Sequence, residues 1–197
     1  NLIADNDLRR SGDGFFLSGQ PPAMAPSNDN VVTGNDGSGS PHNAFESTFS
    51  DGNTFLDDRA DSSDYGFWLG YSSRTLVRGA TVAVDAHTVN GHIEIATLGG
   101  PVTAESVNGG VRATIDQLVN SNEPLELVTV NGSVELAAPA QLNAALDAET
   151  VNGGVQTDFP ITVSSFKART RIHGTIGQGG RELRLHTVNG SISIRKL

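Results

Sequence analysis

Glutamates and histidines are the side chains of this sequence whose types and spacing could support acid–base chemistry. Glu105 and Glu149 each stand four residues before the glycine of a repeated motif, so they could align in one row as acid and base for cleaving polysaccharides. A row of glutamates on a solvent-facing surface is, however, common in soluble proteins. We therefore predict that the protein is not an enzyme and keep a polysaccharide-active β-helix enzyme as a remote alternative.

Metal-binding patterns are equally weak. His87 and His186 occupy equivalent positions in distant repeats, and an acidic run at positions 57–64 lacks the spacing of calcium-binding loops. The Gly-Gln-Gly-Gly segment at 177–180 does not join a strand to a helix, as a phosphate-binding loop does. We predict no cofactor and no catalytic metal, and we leave a structural calcium ion in the acidic run open.

The positions of these side chains depend on a repeat in the C-terminal part of the chain. A small apolar residue, then Asn or His, then Gly recurs six times between residues 89 and 190, with a period of about 20 residues. Asn and Gly tolerate the left-handed backbone of a sharp turn, so each copy is interpreted as a structural corner. The corner residues are Asn90, Gly91, Asn108, Gly109, Asn131, Gly132, Asn152, Gly153, Gly174, Asn189 and Gly190.

Apolar and polar residues alternate on both sides of each corner. In one copy Leu125, Leu127 and Thr129 precede the corner, and Val134 and Leu136 follow it. Such alternation is typical of strands with one buried face. The fold class is therefore all-β, either a single-chain β-solenoid or β-helix of about 20 residues per coil or an antiparallel meander of Asn-Gly hairpins. We favour the solenoid, because identical residues in register form ladders in a stack.

Three segments of the repeat region resemble a known family. Residues 146–161 contain Asp-Phe-Pro, residues 171–180 contain Gly-Thr-Ile-Gly-Gln-Gly-Gly, and residues 183–194 contain the last Val-Asn-Gly. In this order they resemble the C-terminal half of the bacterial adhesin-type β-strand-repeat domains of unknown function, over about residues 75–197. The resemblance implies a β-solenoid-like domain of the cell envelope or exterior, and it carries over no catalytic residue.

Composition is consistent with an exported structural protein. The chain has no cysteine, so no disulfide stabilises it, and its net charge of −9 argues against nucleic acid as a partner. No apolar run is long enough for a transmembrane segment. We predict a location outside the cell or on the envelope surface.

Residues 1–74 differ from the repeat region, residues 75–197, and we predict two domains. The first is rich in Gly, Ser, Asp and Asn, so it is predicted to be an irregular arm or cap without a core of its own. It nevertheless holds nine of the eleven aromatic residues, which can act as anchors. The arm either packs on its own solenoid or reaches a neighbouring subunit through Phe15, Phe16, Phe45, Phe49, Phe55, Tyr65, Phe67, Trp68 and Tyr71.

Charge is unevenly distributed along the repeat region. Residues 81–166 carry ten acidic residues and one arginine, whereas residues 167–197 carry seven basic residues and one acidic residue. If sequence order is also axial order, the basic C-terminal coil ends the stack without a cap. The residues assigned to this basic end are Arg181, Arg184, Arg195 and Lys196.

These patterns predict an exported structural subunit that assembles with itself, head to tail, into an extracellular filament or surface layer. The aromatic arm and the basic end would be the complementary contacts. The alternative is a monomeric cell-surface adhesin, a binding module that recognises a glycan or a protein.

Overall fold

The computed structural model is an all-β solenoid in which parallel strands stack into two sheets around one core. It describes residues 1–20, 22–80, 84–97, 101–116, 124–167 and 170–197. Within these ranges there are nineteen strands, and no helix is long and apolar enough to cross a membrane. The solenoid predicted from the repeats is therefore confirmed.

Each coil of the parallel stack contributes one strand to each sheet, and the antiparallel strands β16 and β17 extend the ten-stranded sheet. In spatial order the nine-stranded sheet contains β1 (Leu2–Ala4), β3 (Val31–Thr33), β5 (Thr54–Leu56), β7 (Thr75–Ala80), β9 (Ile93–Thr97), β11 (Val111–Ile115), β13 (Val134–Ala138), β19 (Ile192–Lys196) and β15 (Val155–Thr157). The ten-stranded sheet contains β2 (Phe15–Ser18), β4 (Asn43–Thr48), β6 (Tyr65–Trp68), β8 (Val84–Asn90), β10 (Val102–Asn108), β12 (Leu125–Asn131), β18 (Arg181–Asn189), β14 (Ala144–Asn152), β17 (Arg171–Ile176) and β16 (Ile161–Lys167).

The strands on the two sides of an Asn-Gly corner lie in different sheets. β12 precedes one corner and β13 follows it, and each pairs in parallel with strands of other coils. This arrangement excludes the hairpins of the antiparallel alternative. Alternate side chains point into the core, where Leu127 is fully buried between Ala104 and Leu185 of the adjacent strands.

Hydrogen bonds between neighbouring corners explain the Thr-Val-Asn-Gly pattern. The Thr129 hydroxyl donates to the carbonyl oxygen of Gly109 in the adjacent corner, at 2.8 Å. The Asn131 side-chain amide donates to Asn108 Oδ1, also at 2.8 Å. Each corner thus donates one hydrogen bond to a backbone carbonyl and one to a side-chain amide oxygen of the neighbouring corner, and these bonds hold the repeats in register.

The corner glycines are required for close packing, and the sequence-based explanation by a left-handed backbone is wrong at Gly132 and Gly153. Neither residue has φ in the left-handed region. A Cβ on Gly132 would lie 2.2 Å from the carbonyl oxygen of Gly109, and one on Gly153 would lie 1.9 Å from that of Gly190. Glycine is therefore needed because stacked corners approach each other's backbone.

The prediction of an irregular arm without a core is also wrong, because the solenoid continues through residues 1–74. Strands β1 to β6 extend both sheets in parallel register, and β5 pairs with β7 across the predicted domain boundary. Phe45, Phe55 and Phe67 are fully buried, and the ring centroids of Phe45 and Phe67 are 5.1 Å apart. Aromatic rings fill the core here because aliphatic residues are few.

Asparagines form ladders at two corners of these N-terminal coils, and Asn30, Asn35 and Asn53 are buried there. In one ladder the Asn30 amide donates to Asn53 Oδ1 at 3.0 Å. In the other, the Asn6 amide donates to Asn35 Oδ1, and the Asn35 amide donates to Asp58 Oδ1, both at 2.8 Å. Asp58 is 1% exposed, and burial raises the pKa of its carboxyl to about 6.

Replacing Asp58 by asparagine is expected to stabilise the fold above pH 6. Because the pKa is raised in the folded state, the free energy of unfolding of the wild type falls by up to about 3 kcal/mol as pH rises from 3.8 to about 6. The Asp58→Asn variant has no carboxyl group to ionise, so it lacks this pH-dependent loss of stability, and its side-chain oxygen can still accept the hydrogen bond from Asn35. Urea denaturation of both proteins at pH 4 and pH 7 measures the difference, and equal pH dependence would contradict the assignment.

The C-terminal repeat does not end the stack, contrary to the sequence-based prediction. β18 lies between β12 and β14, and β19 lies between β13 and β15, so the last coil is inserted between two earlier ones. Beyond β14 the sheet continues with β17 and β16, which pair antiparallel. Gly174, predicted to be a corner residue, lies inside β17.

Charge complementarity favours this insertion. Arg184 lies in register between Glu126 and Asp147, and its Nη1 is 3.2 Å from Glu126 Oε1. Without β18 these two carboxylates would be neighbours, and like charges directly opposite each other on paired strands are destabilising. The basic repeat therefore partly neutralises the acidic coils on both of its sides.

Candidate ligand-binding groove

The outer face of the ten-stranded sheet carries its side chains in rows, because the strands are in register. One row, here the polar row, contains Trp68, His87, Glu105 and Val128 on β6, β8, β10 and β12. His87 Nδ1 lies 3.2 Å from Glu105 Oε2, and the ring centroids of Trp68 and His87 are 5.7 Å apart. The row therefore presents an aromatic surface followed by a histidine–glutamate pair.

A second row on this face is apolar. It contains the valine of each Val-Asn-Gly corner, two positions beyond the polar row on every strand, and these side chains are 36–62% exposed. Exposed apolar side chains in a continuous line are unusual on a soluble protein and commonly mark an interaction surface. In spatial order this valine row contains Val89, Val107, Val130, Val188 and Val151.

Two aromatic rings stand at the β4–β6 end of the valine row. Phe49 and Tyr71 follow β4 and β6, and their rings stack with centroids 4.7 Å apart and planes 3° from parallel. Both residues have positive φ, with values of 49° and 54°. Both side chains remain exposed, so this stacked pair adds an aromatic surface to the line of valines.

A groove of about 510 Å³ lies between the polar row and the valine row. Its floor includes Thr88 and Ser106, whose hydroxyls donate to backbone carbonyls of the adjacent corners. The groove crosses five strands of the sheet, from β4 to β12. Its lining residues are Thr48, Phe49, Trp68, Gly70, Tyr71, His87, Thr88, Val89, Glu105, Ser106, Val107, Val128 and Val130.

The groove is mainly apolar, and the ionisable side chains among its described lining residues are Glu105, His87 and Tyr71. Glu105 is the carboxylate in its lining, and the described residues that line it include no lysine or arginine. On the other side of Trp68 a separate hollow of about 380 Å³ is lined by Asp13, Glu46 and Asp64 among others. Burial raises the pKa of Glu46. The surroundings of the groove therefore favour a neutral or cationic ligand.

The structure separates the predicted aromatic anchors, which do not form one surface. Phe45, Phe55 and Phe67 belong to the core, so they cannot anchor an arm on another surface. Phe49, Trp68 and Tyr71 line the groove, Tyr65 contacts Trp68, Phe15 packs against the core, and Phe16 is exposed on β2.

The predicted basic end is dispersed in the same way. Arg181 is only 4% exposed, and Arg184 pairs with Glu126 inside the stack of coils. Arg195 and Lys196 are exposed on β19, where Lys196 Nζ lies 5.4 Å from the centre of the Phe159 ring. The four residues therefore do not form one terminal surface, because the coil that carries them is internal.

The candidate acid–base residues lie on one row but do not form a pair. Glu105 and Glu149 are separated in register by Val128 and His186. The acidic run at 57–64 is dispersed as well, since Asp58 is buried in a ladder and Asp61 pairs with Arg59. In the described part of the chain, no group of three or more His, Cys, Asp or Glu could hold a metal ion.

The groove itself was not predicted from the sequence, although Glu105 and the aromatic residues were singled out separately. The valines were interpreted only as part of the corner motif. Their position two residues after Glu105 and its equivalents was a usable signal, because alternation places both on the same outer face.

Comparison with known proteins supports the fold of the C-terminal region. A family model described as Toastrack DUF4097, a domain of unknown function, matches residues 78–195. This confirms the expected β-strand-repeat domain of unknown function over the C-terminal region. No curated protein and no solved structure matches the chain.

Proposed function

Because the chain belongs to the Toastrack DUF4097 family of domains of unknown function, we propose its role from its geometry: it is a non-enzymatic binding module of the cell envelope or exterior. Its recognition site is the groove between the polar row and the valine row. This is the adhesin-type alternative predicted from the sequence, with a glycan or protein as the partner.

The observation that carries the proposal is an apolar and aromatic groove on a polar face. Binding sites are typically concave and mainly apolar, with a few polar groups that orient the ligand. Here Trp68, Tyr71 and the valines supply apolar area, and His87 and Glu105 supply the polar groups. Aromatic residues in such positions contribute strongly to binding energy.

The head-to-tail filament predicted from the sequence has less support than the binding function, because its two predicted contacts differ in the structure. That prediction depended on an arm without a core and on a bare basic coil at the end of the stack. Residues 1–74 contribute to the solenoid core, and the basic coil lies between two others. The groove therefore supports the proposal better than the predicted contacts do.

A charge placed in the valine row is expected to abolish binding without unfolding the protein. Val107 is 41% exposed, so Val107→Glu should change the free energy of unfolding by no more than about 0.5 kcal/mol. In the groove, however, the carboxylate would need desolvation, and affinity for an uncharged groove ligand should fall at least tenfold. Binding is measured on a panel of immobilised glycans and extended peptides.

Val163→Glu is the matched control, because Val163 is 49% exposed on β16, outside the groove. Its binding should equal that of the wild type. Equal binding by the Val107→Glu variant would place the site elsewhere, and a wild-type protein that binds no member of the panel would contradict the binding function.

A further inference from the structure

We infer that the ligand of the groove is a linear glycan without negative charge, lying parallel to the solenoid axis with about one sugar ring above each strand. This inference rests on the proposed binding function and specifies its ligand. Four properties of the groove support this ligand: its direction, its spacing, its amphipathic character and its charge.

The direction of the groove excludes recognition by strand addition. The groove crosses β4, β6, β8, β10 and β12, and the strands between its ends are paired on both sides. Their backbone groups are therefore already used in the sheet, and an extended peptide cannot join it as another strand. A ligand must therefore lie across the strands and make its contacts mainly with side chains.

The spacing of the groove suits a chain of sugar rings better than a peptide. Neighbouring strands are about 4.8 Å apart, so five strands span about 19 Å. The rings of an extended β-1,4-linked chain advance by a similar distance, so successive rings can lie above successive strands and meet His87 and Val89 on β8, then Glu105 and Val107 on β10. Side chains on one face of an extended peptide recur every 6.6 Å or so, which is out of step with the strands.

The two walls of the groove match the two kinds of surface on a flat sugar ring. Such a ring has C–H groups on its faces and hydroxyl groups along its edges. The valine row and Tyr71 offer apolar contacts to the faces, and Glu105 and His87 lie opposite as hydrogen-bonding partners for the edges. A purely apolar ligand would leave Glu105 desolvated without a new partner, which is unfavourable.

Charge restricts the glycan further. Glu105 lies in the groove, Glu46 lies beyond Trp68 on the same row, and no lysine or arginine is among the described lining residues. A chain of uronic acids would bring carboxylates next to Glu105, and the described lining offers no lysine or arginine to compensate them. Neutral glycans therefore fit, and acidic glycans do not.

Calorimetric titration of the full chain tests this inference. The probes are linear β-1,4-linked oligomers of glucose, N-acetylglucosamine, mannose and xylose, each of two to six rings, with oligogalacturonate and an extended peptide of alternating valine and serine. At least one neutral series should bind, with affinity rising for each added ring up to about five and then levelling off. Oligogalacturonate should bind at least tenfold more weakly, and Glu105→Gln should reduce that difference.

The outcomes separate this inference from the proposed function. Binding of the peptide but of no glycan, or affinity that does not depend on ring number, would overturn the inference and leave a binding function in place. Equal affinity for oligogalacturonate and the neutral oligomers would overturn the charge restriction. Absence of binding to every probe, together with no binding on the wider panel, would overturn both.

Discussion

Alanine at Gly132 is expected to destabilise the solenoid by about 3 kcal/mol or more. The new Cβ would lie 2.2 Å from the carbonyl oxygen of Gly109 and 2.5 Å from its carbonyl carbon. These are backbone atoms in a stacked corner, so they cannot move aside as the end of a flexible side chain could. Relief of the clash would separate the corners and break the Thr129 hydrogen bond to Gly109.

Gly154 is the control for this prediction, since a Cβ there would meet no atom within 4 Å. Urea denaturation should show that Gly154→Ala changes the free energy of unfolding by no more than about 0.5 kcal/mol. Similar losses in both variants would mean that close packing of corners is not why glycine is required.

Aspartate at Leu127 is expected to unfold the stack or to cost about 4 kcal/mol or more. Leu127 is fully buried, and its neighbours in register are Ala104 and Leu185. The carboxylate would have no cation or hydrogen-bond donor in this apolar core, and the volume of the leucine would be lost as well. Circular dichroism during thermal denaturation measures the effect.

Glu126→Gln is the matched control, one residue away on the opposite face of the same strand. Glu126 pairs with Arg184 at a partly exposed site, so its loss should cost about 1 kcal/mol or less. If the two variants melted alike, the assignment of inner and outer faces would be wrong.

The C-terminal repeats were the most predictable part of the fold. Closely similar corners, Thr-Val-Asn-Gly in most copies and Ser-Val-Asn-Gly at 106–109, and strict alternation on both sides indicate in-register stacking, and the structure shows this register from β8 to β14. Sequence order could not reveal the insertion of β18, because all corners match one another equally well. Only the charge of Arg184, which suits a place between acidic neighbours, distinguished this repeat.

The N-terminal coils were missed because their composition resembles that of disordered segments. A repeat was nevertheless present: Asn30 and Asn53 are equivalent residues 23 positions apart, and Phe45 and Phe67 are register partners. Buried asparagine ladders and stacked phenylalanines replace the aliphatic ladders of the later coils. Hydrophobic patterning alone cannot detect a coil whose corners are stabilised by amides.

The groove combines residues that are far apart in the chain, which is why the sequence did not predict it. Phe49 and Tyr71 are adjacent only because two successive coils stack, and Val130 joins them through three further coils. Predicting such a surface requires both the register of the strands and the order of the coils along the axis. The sequence indicated the register correctly, but it suggested the wrong coil order, because the last coil is inserted between two earlier ones.

Fluorescence of Trp68 is the most direct test that the groove is the ligand site. Trp68 is the single tryptophan of the chain and lines the groove, so its emission reports on that surface without a label. Saturation with the tightest-binding oligosaccharide should shift and change the emission of the wild type, and the change should be absent in Val107→Glu at the same concentration. Saturated binding that leaves the wild-type emission unchanged would contradict the account.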